Sequence, residues 1–399
     1  MSSLYQLPNV VEFNEKNSMG LIRLAKPVEV NPVIESSRFV LKIYKSILRE
    51  GYSPHTWRNH PLHLLPPIHY TPGDPNARAC LDWIFLISSL NFSFWSVEEG
   101  TPRESRRYGV EWREGWDRDK PKVFTGYWSL VAALNKALEA GIPITDPAFY
   151  SDPILCPDSL IEDIFKPAPY CSETVPLLKE RIAIMREVGS IMTSKFGGSY
   201  ETLLVQFLSR YSGRGTALQL VELITDEFPS FRDETVFKGK RVYFWKRAQI
   251  LAAETWAAFY PISSDTPHPF FPGGISQLTM FADYRVPQIL HHLRILSYPP
   301  SLLALLSSYT YFPPGCRAEL SIRAASILAV EAIRDEIACI RENEGDFTPI
   351  LPGQEEIPSV LIDFFLWDLA KKIENREEQI EGIVTSGVIP AHRTRSIWY

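Results

Sequence analysis

The sequence predicts an all-α fold, and three observations carry the prediction. Apolar residues recur at helical spacing along most of the chain, alternating β-patterns are short and few, and the 32 prolines cluster between the periodic stretches rather than inside them. At 399 residues the chain can bury a sizeable core, and 45% hydrophobic with 22% charged side chains is an ordinary globular composition. Residues 1–30 read as a partly irregular extension. Residues 31–399 read as a single compact helical body, with room for two lobes around a central pocket.

In chain order, the run SSRFVLKIYKSILREG near Ser37 places Phe39, Ile43 and Ile47 at i, i+4 and i+8, and Gly51 follows as a stop. Similar amphipathic patterns run from Arg78 to Leu90, Tyr127 to Ala140, Val175 to Phe196, Gly215 to Phe228 and Lys246 to Phe259. The third of these closes on Gly197 and Gly198, which suit a helix stop. Three more follow near Pro287 to Leu296, Ala318 to Arg341 and Pro358 to Asn375. VFTGYW near Val123 and KRVYFW near Lys240 are the best strand candidates. Loops are expected over the charged insert Val97 to Lys122, the proline-rich stretch from Pro261, and ENEGDFTPILPGQEE from Glu342.

The balance of 41 basic against 47 acidic side chains, a formal charge of -6, argues against a protein that lives on phosphate neutralisation along nucleic acid. A small ligand is the expected partner. Five scattered cysteines without a C-x-x-C pair fit neither a disulfide framework nor a zinc site. There is no signal-like start and no run of about 18 apolar residues. The expectation is a cytoplasmic monomer without membrane, metal or cofactor. The sequence contains no G-x-G-x-x-G, P-loop, G-x-S-x-G or H-E-x-x-H, which leaves dinucleotide binding, P-loop chemistry, the serine-hydrolase elbow and zincin chemistry unsupported. His291 and His292 are adjacent, about 100° apart on a helix, and so cannot chelate together.

Three segments set polar groups in apolar surroundings. LNFSFWS from Leu90 is either a packed helix terminus or, through Phe94 and Trp95, a stacking wall for a flat ring. In TMFADYRVPQIL from Thr279, Pro287 suits a first helical turn, so Asp283 stands at a loop-to-helix junction. There Asp283 is either a helix cap paired with Arg285 or a carboxylate facing a cavity beside Phe281. In VLIDFFLWDLAKK from Val360, Asp363 shares one helical face with Trp367 and Phe364 another with Asp368. Asp368 has Lys371 and Lys372 within reach. Asp363 lies in an apolar run, where a carboxylate without a partner costs several kcal/mol in order of magnitude.

Those segments, together with GYWSL at Gly126, GIPIT at Gly141, FPSFRD at Phe228, WKRAQIL at Trp245 and the closing HRTRSIWY, closely resemble the queuosine salvage proteins, the queuosine 5'-phosphate N-glycosylases that release the base queuine. The resemblance runs from about His60 to Tyr399. It is weakest over residues 1 to about 50 and over the charged insert, to which no chemistry is assigned. It implies an all-helical fold similar to helix-hairpin-helix DNA glycosylases, a single nucleotide rather than DNA as substrate, and no metal. It further implies that Asp283 is the active-site acid, that Phe281 lies in the base pocket, and that His63, Asp363 and Asp368 contact ligand.

Queuine is a 7-deazaguanine bearing an aminomethyl-cyclopentenediol, so the implied substrate offers a flat ring, an ammonium, a diol and a 5'-phosphate. The ring calls for aromatic faces, for which Phe281, Trp95 and Trp367 are candidates, and the ammonium and diol call for Asp363 or Asp368. Lys246, Arg247, Arg285, Arg393 and Arg395 are the candidate cations for the phosphate. Two alternatives stand beside this reading: a glycosylase for another purine-like nucleotide, and a non-catalytic helical ligand-binding or interaction protein whose aromatics are simply its core.

Overall fold

The structure, a computed structural model, describes residues 28–30, 37–113, 121–263, 265–344, 356–374 and 385–399. Helices form most of this chain: α1 (Ser37–Arg49), α2 (Pro75–Leu90), α3 (Tyr127–Glu139), α4 (Pro147–Ser151), α5 (Asp158–Ile164), α6 (Leu178–Phe196) and α7 (Tyr200–Arg210). They continue with α8 (Ala217–Glu227), α9 (Lys246–Ala258), α10 (Arg285–His292), α11 (Pro300–Ser307), α12 (Arg317–Glu344) and α13 (Ser359–Glu374). The strands form three antiparallel pairs: β1 (Glu29–Val30) with β6 (Leu296–Ser297), β2 (Gly109–Trp112) with β3 (Lys122–Thr125), and β4 (Glu234–Phe237) with β5 (Lys240–Tyr243). Among the described residues, no helix is long and apolar enough to cross a membrane.

Local chemistry sets the helix ends. Asp74 accepts the amides of Asn76 and Ala77, with Pro75 at the first position of α2, and Thr216 and Gln219 form a reciprocal capping box on α8. α6 stops where Gly197 turns left-handed at φ 62°. α9 is buried on nearly every side, and Ala248, Ala252, Ala253 and Ala257 let α2 and α8 pack close against it. α10 and α12 pack on α13. One cluster of buried apolar side chains runs from Val40 to Leu369.

Two departures from the sequence reading have plain causes. The charged insert, expected to be a loop, carries strand β2, whose partner β3 follows it; residues 114–120 lie outside the described residues. Strand Gly109–Trp112 is too short to show alternation, and it forms because pairing with β3 satisfies its backbone. α4, α5, α7 and α11 were not expected. Three of these have eight residues or fewer, too few for a periodic signal. α7 does carry local signals: the cap Ser199, which accepts the Glu201 amide at 3.1 Å, and the stripe Leu203, Leu204 and Phe207. The expected loop from Glu342 falls largely on residues 345–355, outside the described residues.

Candidate active site

WKRAQIL, at the start of α9, gives each polar residue a separate task. Lys246 is 4% exposed and directs its ammonium to the Asn91 carbonyl and side chain, both at 3.2 Å. Arg247 donates to the carbonyls of Ser89 and Ser230. With Arg181, which donates to Leu90 O at 2.5 Å and Phe92 O at 2.6 Å, it closes the C-terminal end of α2, whose last carbonyls have no helical partners. Gln249 accepts the Thr279 amide at 3.0 Å and so ties the loop before α10 to α9.

A cavity of about 150 Å³ opens between α9, α13 and that loop. From α9 it is lined by Lys246, Ile250 and Glu254, at i, i+4 and i+8 on one face. From α13 come Asp363, Phe364, Trp367, Asp368 and Lys371, and from the loop and the start of α10 come Phe281, Asp283, Tyr284 and Arg285. The remaining wall is mostly aromatic. His60 lies flat on Trp128, with centroids 3.7 Å apart and planes within 3°, and His63 stacks on Trp57 at 4.2 Å. Trp367 meets Trp128 at 6.0 Å and Tyr127 at 6.1 Å, edge to face.

Eight of the residues singled out from sequence, His63, Lys246, Phe281, Asp283, Arg285, Asp363, Trp367 and Asp368, line this one cavity. Asp283 is at once a cap and a cavity residue. Its Oδ1 accepts the amides of Arg285 at 2.7 Å and Val286 at 3.0 Å, which caps α10, while the residue still faces the cavity. Asp363 is 3% exposed, and its Oδ1 accepts the Phe281 amide at 3.0 Å. Burial, reinforced by Asp283, holds its carboxyl well above the usual carboxylate range, against the pull of Lys246. Asp368 accepts the Tyr52 hydroxyl at 2.5 Å, and burial raises its carboxyl as well. The Lys246 ammonium is pushed down to about 8 by burial, with Asp283 pulling the other way. His63 donates from Nδ1 to the Trp57 carbonyl at 2.7 Å, and burial pushes it down to about 3, so the ring is neutral and its Nε2 is an acceptor.

A buried guanidinium holds these pieces in register. Arg323 donates from Nε to Ala282 O at 2.8 Å, directly before Asp283, and binds both oxygens of Asp233 at 3.1 and 2.5 Å. It also meets Glu319 at 3.3 Å and lies over the Phe244 and Tyr399 rings at 3.9 and 4.2 Å. Asp233 in turn accepts the Lys246 amide at 3.2 Å, and the hydroxyl of Tyr399, a cavity residue, donates to Glu319 at 2.8 Å. The FRD and IWY blocks are therefore the frame around the cavity.

Four candidates lie elsewhere. Trp95 is buried one layer behind the cavity, packed against the cavity residues Tyr284 and Tyr399, its indole donating to Thr394 O at 2.9 Å and its ring covered by Arg395 at 3.5 Å. It is therefore no stacking wall; Phe94 lines the cavity instead. Arg247 is committed to the end of α2, Arg393 to Glu99 O at 2.8 Å, and Arg395 to Ser93 O at 3.2 Å. The sequence reading missed Tyr52, Trp57, His60, Tyr127, Trp128 and Glu254, all on the cavity wall. For Trp128 the GYWSL block was a signal, but for Glu254 only its place eight residues after Lys246 offered one.

An aromatic cavity with four acidic side chains inside a mainly helical body has the chemistry to hold a flat, polar small molecule. The chain belongs to the queuosine salvage protein family, whose model matches residues 68–399. It is 41% identical to the queuosine 5'-phosphate N-glycosylase/hydrolase of Schizosaccharomyces pombe over 86% of this chain and 87% of that protein. It is 38% identical to the mouse protein of the same name over 92% and 96% of the two chains. The bacterial counterpart from Sphaerobacter thermophilus is 32% identical over 90% and 91%.

Proposed function

We propose that this protein hydrolyses the N-glycosidic bond of queuosine 5'-phosphate and releases queuine for salvage into tRNA. The observation that carries the reading is Asp283, fixed by the start of α10 and facing an aromatic cavity beside the buried Asp363. Breaking the bond from N9 to C1' leaves the electron pair on the base and positive charge on the ribose, an oxocarbenium-like state. The Asp283 carboxylate stabilises that charge. Water then supplies the oxygen that bonds to C1', and its proton ends on the departing base. Because carbon replaces N7 in this base, protonation there cannot assist departure, and the reaction depends the more on the carboxylate.

The ring lies among Phe281, Trp128 and Trp367, and the ammonium arm and diol reach Asp363 and Asp368. Arg285 and Lys371, both half-buried on the cavity wall, take the 5'-phosphate, while Lys246 sits deeper beside the acids. The same reading makes the protein a cytoplasmic monomer acting on a free nucleotide. Incubation with queuosine 5'-phosphate, queuosine and guanosine 5'-phosphate tests it. Queuine should appear rapidly from the first and much more slowly from the second, because remote phosphate binding orients the ribose, and the third should be inert. No queuine from the first would end the reading.

Asp363→Asn separates ligand recognition from architecture, because asparagine retains an acceptor for the Phe281 amide but not the charge. Affinity for queuosine 5'-phosphate should fall by about 2 to 5 kcal/mol with little change in melting temperature. A 7-deazaguanosine 5'-phosphate lacking the side chain should be affected far less. Equal damage to both nucleotides with a lowered melting temperature would make Asp363 structural.

A further inference from the structure

We propose that Glu254 reads the base: its carboxylate accepts the N1–H and 2-amino donors on the edge of the 7-deazaguanine ring farthest from the scissile bond. This rests on the queuosine 5'-phosphate reading and adds to it the group that sets base selectivity. Four acidic side chains line the cavity, and three already serve the protein: Asp283 caps α10, Asp363 takes the Phe281 amide and Asp368 takes the Tyr52 hydroxyl. Glu254 is 5% exposed, and only Oε1 is engaged, by the Tyr127 hydroxyl at 3.4 Å. Its Oε2 is buried without a hydrogen-bond partner among the described residues, although the residue lines the cavity. An acceptor left in that state is costly unless a ligand donor meets it.

Its position selects the donor. Glu254 lies two turns along α9 from Lys246, about 12 Å by helical rise. Among the acids the Lys246 ammonium feels Asp283 most, then Asp363 and last Glu254, which places the reacting end of the cavity beside it and Glu254 farther off. A purine-sized ring system with a hydrogen bond at each end spans on the order of 10 Å. With C1' at Asp283, the ring edge bearing N1–H and the 2-amino group therefore reaches Glu254. The ribose hydroxyls stay at the Asp283 end, and the ammonium arm leaves the ring from C7, away from that edge. Two parallel N–H donors match the two oxygens of a carboxylate, whereas an adenine-like edge would turn an acceptor toward it. Burial holds the Glu254 carboxyl up at about 7, while Lys246 and the Tyr127 hydroxyl favour its ionised, accepting form.

The test compares kcat/KM for queuosine 5'-phosphate and its 2-desamino analogue in the wild type and in Glu254→Gln. The wild type should prefer the parent by about 10- to 100-fold, the range of a hydrogen bond to a charged group. Glu254→Gln should lower kcat/KM for the parent by a similar factor and shrink the preference toward one, because the amide offers a single acceptor and sets a donor against a donor. A merely structural role would lower both efficiencies and leave their ratio intact, which overturns the proposal. A wild type that cleaves both nucleotides equally overturns it without any variant, even if Glu254→Gln fails to fold. A wild type that releases base from neither shows instead that the queuosine 5'-phosphate reading has failed, and the Glu254 assignment falls with it.

Discussion

Replacing Asp283 with asparagine is expected to lower queuine release on the order of 10²-fold or more, the usual cost of removing one preorganised electrostatic group from an active site. On the proposed reading the side chain has two duties, and the substitution separates them. Capping of α10 requires only an acceptor for the amides of Arg285 and Val286, which the asparagine oxygen supplies. Stabilising a developing cation requires the negative charge, which is lost. Melting temperature should therefore stay near the wild-type value while single-turnover release collapses. Asp283→Ala should add a cap loss of about 1 kcal/mol to the same catalytic defect. If the asparagine variant retained most of the activity, the charge on the ribose would have to be met by another group, and Asp363 would be the first to examine.

Arg323→Met is expected to destabilise the protein by about 3 to 5 kcal/mol, because it strands Asp233 and Glu319, 3% and 1% exposed, without their counter-charge. The loss should be readable in urea unfolding as a lowered midpoint. Activity should fall as well, since the Ala282 carbonyl loses its donor at 2.8 Å and the loop carrying Asp283 loses the anchor nearest that residue. Adding Asp233→Asn to Arg323→Met should recover part of the stability, because it removes one of the two stranded charges. It should recover little activity, because Ala282 remains unanchored. A single Arg323→Met variant within about 1 kcal/mol of wild type would show that the network costs as much to bury as it returns, the other outcome that buried ion pairs allow.

Much of the site was legible because its residues sit in strong local context. Asp363 stands out as a carboxylate inside the apolar run Val360–Phe365, and the fold does bury it. Asp283 stands out at a loop-to-helix junction marked by Pro287, and α10 does begin at Arg285. For Asp283 the choice between cap and site dissolved, since one carboxylate oxygen takes both amides and the residue still lines the cavity. Trp95 shows the opposite case. Its segment was correctly read as aromatic, but nothing local distinguishes a ring on the cavity wall from one a layer behind, and Phe94 rather than Trp95 lines the cavity.

The sequence by itself determined the helical class, most of the longer helices, and the residues whose chemistry conflicts with their neighbours. Periodicity and burial cost act over one or two turns and are written in consecutive residues. Only the tertiary structure decided which cation serves as frame and which faces the cavity. Lys246 and Arg247 are adjacent in sequence, yet one points to Asn91 at the cavity and the other closes the end of α2. The Arg323–Asp233 pair and the Tyr52–Asp368 hydrogen bond join residues 90 and 316 positions apart, and Glu254 is set apart by an Oε2 that has no hydrogen-bond partner among the described residues. Such contacts depend on how helices distant in sequence pack together, and hydrophobic patterning fixes which face of a helix is buried without fixing what that face meets.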